Sequence, residues 1–164
     1  MHNVYLGIGG NLGDRLQNIK DVIQKISDRI AVPEKVSSIY LSEPWGFEHA
    51  KYFTNAVIKV QTNKTPEQVL EIILSIESDL KRVRSKSGYQ GRTMDIDILY
   101  FGNKIIKTKN LEVPHPRINN RLFVLLPLKD IDKYFIDPVN GKTIDEMLND
   151  CTDIGKIKNL QYGT

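Results

Sequence analysis

Apolar positions along the chain follow two periods, and the switches between them mark out the elements. Val4 to Ile8 is a short apolar run closed by Gly9-Gly10 and reads as a strand. Leu16, Ile19, Ile23, Ile26 and Ile30 then recur at helical spacing, behind Asp14 as N-cap with Gln17 three residues on. Pro33 lies just past that stripe, where it cannot extend a helix. Val36 to Leu41 reads as a second strand. In Asn55 to Gln61, Ala56, Ile58 and Val60 alternate with Val57 and Lys59, which predicts a third. Thr65-Pro66-Glu67-Gln68 is a second helix start, with proline at the first helical position. Val69, Ile72, Ile73, Ile76, Leu80 and Val83 give that helix its buried stripe, and its end is expected near Arg82. Met94 to Phe101 is a fourth strand. Gly102-Asn103 suits a two-residue hairpin turn leading to a short return strand, Lys104 to Lys107. Thr143 to Glu146 opens a last short helix.

The order β-α-β-β-α-β, followed by a C-terminal extension, predicts the α+β class. The expected architecture is a ferredoxin-like antiparallel sheet with helices on one face and the other face free for a ligand. No repeat, low-complexity tract or linker interrupts the chain, so residues 1–164 read as one domain.

Two glycine patterns imitate nucleotide loops. Gly7, Gly9, Gly10 and Gly13 come after a strand and before a helix, but Leu12 stands where a dinucleotide fingerprint needs its last glycine. A turn needing positive φ is the expected role. Gly141-Lys142-Thr143 resembles the end of a phosphate loop, but Ile136 occupies the position of its first glycine.

Asp95 and Asp97 carry the most chemical information. At i and i+2 in a strand they share a face, roughly 6–7 Å apart, while Ile96 and Ile98 point to the core. Two adjacent carboxylates in an apolar strand repel one another and call for a cation. Magnesium suits them, because it binds one or two carboxylates together with substrate phosphates. Arg82, Arg84 and Arg92 flank the pair and Arg121 follows, and arginine is the planar donor matched to phosphate oxygens. His115 is held between Pro114 and Pro116, where it could donate to phosphate. Trp45, Phe47, Phe53, Tyr89 and Phe123 lie in or beside loops and could sandwich a flat heterocycle. Asn55 at a strand start offers a donor and an acceptor to a ring edge.

Composition narrows the classes. A net charge of +3 is too small to imply a nucleic-acid or membrane partner. The single Cys151 allows no internal disulfide, which fits a reducing compartment. Met1-His2-Asn3 has no leader character and no apolar run reaches the ~18 residues of a membrane span. A cytoplasmic protein, monomeric or weakly dimeric, is expected. A single-stranded RNA module is the rival on such a sheet, but the basic-aromatic signature is missing.

These residues together resemble the 6-hydroxymethyl-7,8-dihydropterin pyrophosphokinase family. The resemblance runs through Gly9 to Arg15, Ser42-Glu43-Pro44, Phe53 to Ala56, Arg92 to Leu99, Val113-Pro114-His115 and Asn120-Arg121 with Phe123. It implies diphosphate transfer from ATP to a reduced pterin, with AMP as the other product, in folate biosynthesis. It implies that Asp95 and Asp97 hold two Mg2+ ions and that Arg82, Arg84, Arg92, His115 and Arg121 contact phosphates. Glu77, Ile98 and Leu111 would help form the nucleotide pocket, with Tyr89 keeping a ring for stacking. Ser42, Pro44, Trp45, Phe53, Asn55 and Phe123 would line the pterin pocket. Loops around 43–51 and 84–91 would close over both ligands. Gly88-Tyr89-Gln90-Gly91 departs from the family's usual basic residue, aromatic and Gly-Pro before the arginine.

Overall fold

The computed structural model describes residues 1–10, 14–42, 53–86, 94–153 and 155–160, with the backbone but not the side chains of 82–86. Strand β1 spans His2–Gly10, helix α1 Arg15–Arg29, β2 Lys35–Val36, β3 Ile39–Ser42 and β4 Phe53–Thr62. Helix α2 spans Pro66–Lys86, β5 Asp95–Phe101, β6 Ile106–Lys107 and β7 Glu112–Val113. A 3-10 turn, Ile118–Asn120, leads into α3 (Leu122–Asp132), followed by α4 (Ile144–Asp150) and β8 (Ile157–Leu160). The main sheet has the order β5-β1-β4-β3-β8, with β2 also on β4, and every pairing is antiparallel. Without β8 this is the interleaved βαβ arrangement expected from the element order.

Both sheet faces are covered, for different reasons. On one face Val4, Leu6 and Ile8 of β1, Ile58 and Val60 of β4, and Ile96 and Ile98 of β5 pack against Ile19, Val22 and Ile26 of α1. Val69, Ile73, Ile76 and Leu80 of α2 complete that core. Each such side chain contributes on the order of 1.5–3 kcal/mol by leaving water. Asp14 caps α1 by accepting from Gln17 N at 3.1 Å, but the reciprocal half of the expected box is missing, because Gln17 donates to Asp21 instead. Thr65 and Gln68 form both bonds of theirs, at 3.1 and 2.8 Å. The helices are tied by Arg29 and Asp79 at 2.5 Å.

The opposite face was expected to be open, and half of it is not. Val124, Leu125, Leu128 and Ile131 of α3, with Ile144 and Met147 of α4, bury Tyr5, Val57, Leu99 and Tyr100. The C-terminal extension is therefore a second helical layer. A register shift in the β1–β5 pair makes it fit: Leu6 pairs with Ile98 and Tyr5 with Tyr100, leaving Leu99 extra. As at other bulges, two successive residues turn to one side, and Leu99 and Tyr100 both enter the second core.

Three sheet tyrosines anchor the extension by polar contacts. Tyr5 donates to Asp132 at 2.8 Å, Tyr40 to Asp130 at 2.8 Å and Tyr100 to Asp137 at 2.6 Å. Burial first, and the carboxylate second, push all three phenols well above their ordinary range. Lys35 donates to Ile131 O at 3.0 Å and so caps the end of α3.

Several local expectations are corrected. Gly7, Gly9 and Gly10 lie inside β1, not in a turn; among the described residues only Gly102 and Gly141 have positive φ. Gly102 does serve its turn, where Lys104 N donates to Phe101 O at 3.1 Å. The return strand after it pairs with β7 as a separate ribbon rather than with β5. The second strand splits at Ser37, whose Oγ accepts from Val57 N at 2.9 Å in place of a regular ladder. Helix α2 continues to Lys86, past the expected end near Arg82.

Tyr100→Phe removes the hydroxyl that satisfies Asp137, which is only 4% exposed. Its expected cost is about 1–3 kcal/mol, or a melting temperature lower by roughly 3–10 °C. A thermal unfolding curve unchanged within one degree would show that this anchor contributes nothing.

Candidate active site

Where α3 and α4 stop short, the second face opens into a cavity of about 630 Å3, within the range of small-molecule sites. Its floor is the end of β1. Gly9 pairs with Asp95 on one side and Asn55 on the other; Gly7 pairs with Asp97 and Val57. Cross-strand partners share a face, so the two carboxylates stand on one side of a glycine strip and Asn55 on the other. A Cβ on Gly9 would lie 2.8 Å from Asn55 Oδ1, so a larger residue there would displace the amide. Asn55, 7% exposed, donates to Ser42 Oγ at 2.9 Å, and both line the cavity with Phe53. Their amide and hydroxyl give the cavity a fixed polar edge.

The wall opposite is cationic. His115, Arg117 and Arg121 line it, with Asn120 and Phe123. His115 N donates to Leu99 O at 3.0 Å, which ties this wall to β5. Its Nδ1 accepts from Arg117 N at 3.2 Å, which leaves Nε2 to carry the ring proton. Burial pushes His115 below its ordinary value; Asp97 opposes this, and Arg121 and Arg117 reinforce it. Burial thus favours the neutral form of the ring. Arg121 is also pushed down, by burial first and by Arg117 second, against the pull of Asp97. Its guanidinium lies 5.4 Å from the Phe123 ring centroid, within reach of a cation–π contact. An anion placed here would relieve the crowding of like charge.

Among the described residues no three His, Cys, Asp or Glu side chains gather as a metal cage. Asp95 and Asp97 are two acceptor-only carboxylates on one cavity wall. That donor set fits a hard divalent cation completed by water and phosphate, and not zinc, which takes three or four protein ligands.

Other expected site residues lie elsewhere. Glu77 of α2 stands at the sheet edge, where its Oε2 accepts from Ile96 N at 2.9 Å. Burial raises its pKa most, the Ile96 N–H opposes that, and Asp95 and Asp97 raise it further. Ile98 and Leu111 do not reach the cavity; both side chains pack on the helix-side core. Ile98 is two residues beyond Ile96, so its main-chain groups point out of the same edge. Pro44, Trp45, Tyr89 and Arg92, with most of both expected closing loops, lie outside the described residues, as do the side chains of Arg82 and Arg84. The sequence reasoning missed the floor glycines Gly7 and Gly9, and it missed Arg117. The glycines could have been found by counting pairing partners from Asp95; Arg117 follows His115 by two residues but belongs to no periodic pattern.

Solved structures share this fold. The chain aligns with the Plasmodium falciparum HPPK-DHPS wild-type crystal structure at TM-score 0.73 and 17% identity, over 92% of this chain and 43% of that one. At that identity the likeness speaks to the fold: this is a ferredoxin-like α+β protein with a cavity on its second sheet face. Sequence takes the assignment further. The family model "7,8-dihydro-6-hydroxymethylpterin-pyrophosphokinase (HPPK)" matches residues 5–133. The 2-amino-4-hydroxy-6-hydroxymethyldihydropteridine pyrophosphokinase of Aquifex aeolicus is 38% identical over 146 residues, covering 89% of this chain and 90% of that protein. The folic acid synthesis protein fol1 of Pneumocystis carinii is 41% identical over 150 residues, 92% of this chain but 20% of fol1. The chain thus spans a fifth of fol1 and less than half of the Plasmodium chain. The chain belongs to the HPPK family.

Glu77 gives a pH test. Its folded pKa is raised above the unfolded value, so its contribution is fully present below that unfolded value and is lost as pH rises through the folded one. Glu77→Gln keeps an acceptor for Ile96 N and removes the charge. In ligand-free protein with chelator, the melting temperature of the variant relative to wild type should rise between pH 4 and pH 7. A gap that stays constant over that range would contradict the assigned burial.

Proposed function

We propose that the chain transfers diphosphate from ATP to the hydroxymethyl group of 6-hydroxymethyl-7,8-dihydropterin in a magnesium-dependent reaction of folate synthesis. The alcohol oxygen bonds to the β-phosphorus, the bond from that phosphorus to the oxygen bridging to the α-phosphate breaks, the hydroxyl proton is lost and AMP leaves. One observation carries this reading: paired carboxylates face an amide–hydroxyl edge across a strip of glycine. One end of the cavity suits a charged polyphosphate and the other a flat ring with hydrogen-bonding edges.

Asn55 and Ser42 would read the pterin edge, with Phe53 and Phe123 against its faces and Pro44, Trp45 and Tyr89 closing over it. His115 would donate Nε2–H to a phosphate oxygen without adding charge. Arg121, with Arg82, Arg84 and Arg92, would take the remaining oxygens, and arginine donors aimed at developing charge are an effective catalytic device. Asp95 and Asp97 would hold two Mg2+ ions, which would offset phosphate charge and acidify the attacking alcohol. The nucleotide base would lie along the β5 edge, near Glu77, Leu111 and the main chain of Ile98. Residues 1–164 would act as one unit. A sheet-face RNA module is disfavoured, because α3 and α4 occupy the face it would use.

The test is a discontinuous assay of AMP and ADP with the reduced pterin, with and without magnesium. AMP as the product and dependence on magnesium are expected; ADP would sink the proposed bond cleavage. Asp97→Ala should lower turnover by roughly 10²–10³-fold with little change in unfolding, because the side chain is exposed. Turnover near the wild-type rate would remove the metal role.

A further inference from the structure

Two cavity residues sit at the start of α3: Arg121 at the N-cap and Phe123 just inside. A helix start leaves main-chain N–H groups unsatisfied, and Ser, Thr, Asp or Asn at the N-cap usually accepts one. Arg121 has no acceptor and makes no cap bond. The acceptor comes from outside: Asp153 Oδ2 takes Leu122 N at 3.1 Å, while its Oδ1 takes Gly155 N at 2.8 Å. A Cβ at Gly155 would stand 3.1 Å from that Oδ1, so glycine leaves the carboxylate room. Beyond it the chain enters β8, whose Ile157 pairs with Ser42. The stretch from Asp153 to Leu160 therefore holds both the start of α3 and the strand that carries Ser42. None of it falls within the family match, which ends at residue 133.

We propose that Asp153 is a positioning residue for the diphosphate transfer. It caps α3 in place of Arg121, and so leaves the N-cap position to an arginine that faces the cavity while fixing Phe123 beside it. The carboxylate also complements the positive end of the helix dipole. The proposal rests on the reading of Arg121 and Phe123 as ligand contacts given above.

The experiment compares Asp153→Ala and Asp153→Asn with Tyr5→Phe, which loosens α3 at its far end without touching the cavity. Kinetics are taken at a temperature where every variant is folded. Asp153→Ala should raise the KM for the pterin or for ATP by about tenfold, and Asp153→Asn, which keeps one acceptor, should recover part of it. Tyr5→Phe should lower the melting temperature and leave both KM values within twofold. Arg121→Ala and Phe123→Ala run alongside. If these two impair binding and both Asp153 variants match Tyr5→Phe, the positioning role is overturned while the site stands. If Arg121→Ala and Phe123→Ala also leave both KM values unchanged, the site reading and the positioning role fall together.

Discussion

The register of β1 between β4 and β5 is the constraint on which the site depends. Antiparallel partners place their side chains side by side on one face. Gly9 therefore sets Asp95 and Asn55 at its two flanks, and Gly7 does the same for Asp97 and Val57. Shifting either pairing by one residue would turn the carboxylates or the amide into the helix-side core. The same pairing keeps Ile96 and Ile98 under α1 and α2, so the apolar packing that stabilises the fold also enforces the geometry of the polar groups.

The second face divides its labour by distance from the glycine strip. Near the middle of the sheet, Tyr5, Leu99 and Tyr100 are buried by α3 and α4. Toward the end of β1 the cover stops and the cavity begins. Helix α3 both closes that core and starts at the cavity, so its anchoring shapes the two together. The tyrosine–aspartate pairs hold the body and end of the extension, Lys35 its last turn and Asp153 its first.

Much of this was legible in the residues. β1, α1, β4, α2 and β5 follow their periods closely, because each has one dominant buried face. Asp95 and Asp97 stood out because carboxylates in an apolar strand need a reason to be there, and Asn55 as an amide at a strand start; Ser42 came from the family resemblance. Helix α3 was not legible: Leu122 to Leu128 is apolar on nearly every side, being wedged between the sheet and α4, and Pro127 lies within it. Without a polar face there is no period to read. β8, with only four residues, is too short to read as a strand alone, and owes its form to the edge of β3. Gly7 and Gly9 read as turn glycines because sequence alone does not reveal which residues flank them across the sheet. Ile98 and Leu111 came from family resemblance, which names positions without saying whether side chain or main chain does the contacting.

Glu77 has a consequence at the level of the sheet's outline. β5 is an outermost strand, and such strands expose unpaired main-chain groups that invite a foreign strand to add on. The carboxylate of Glu77 occupies the N–H of Ile96, near the start of that run. An intruding strand would have to evict a side chain anchored in α2 before it could zip along β5. A residue whose charge is costly in that position thereby obstructs strand addition at one end of β5, and His115 N already occupies Leu99 O farther along.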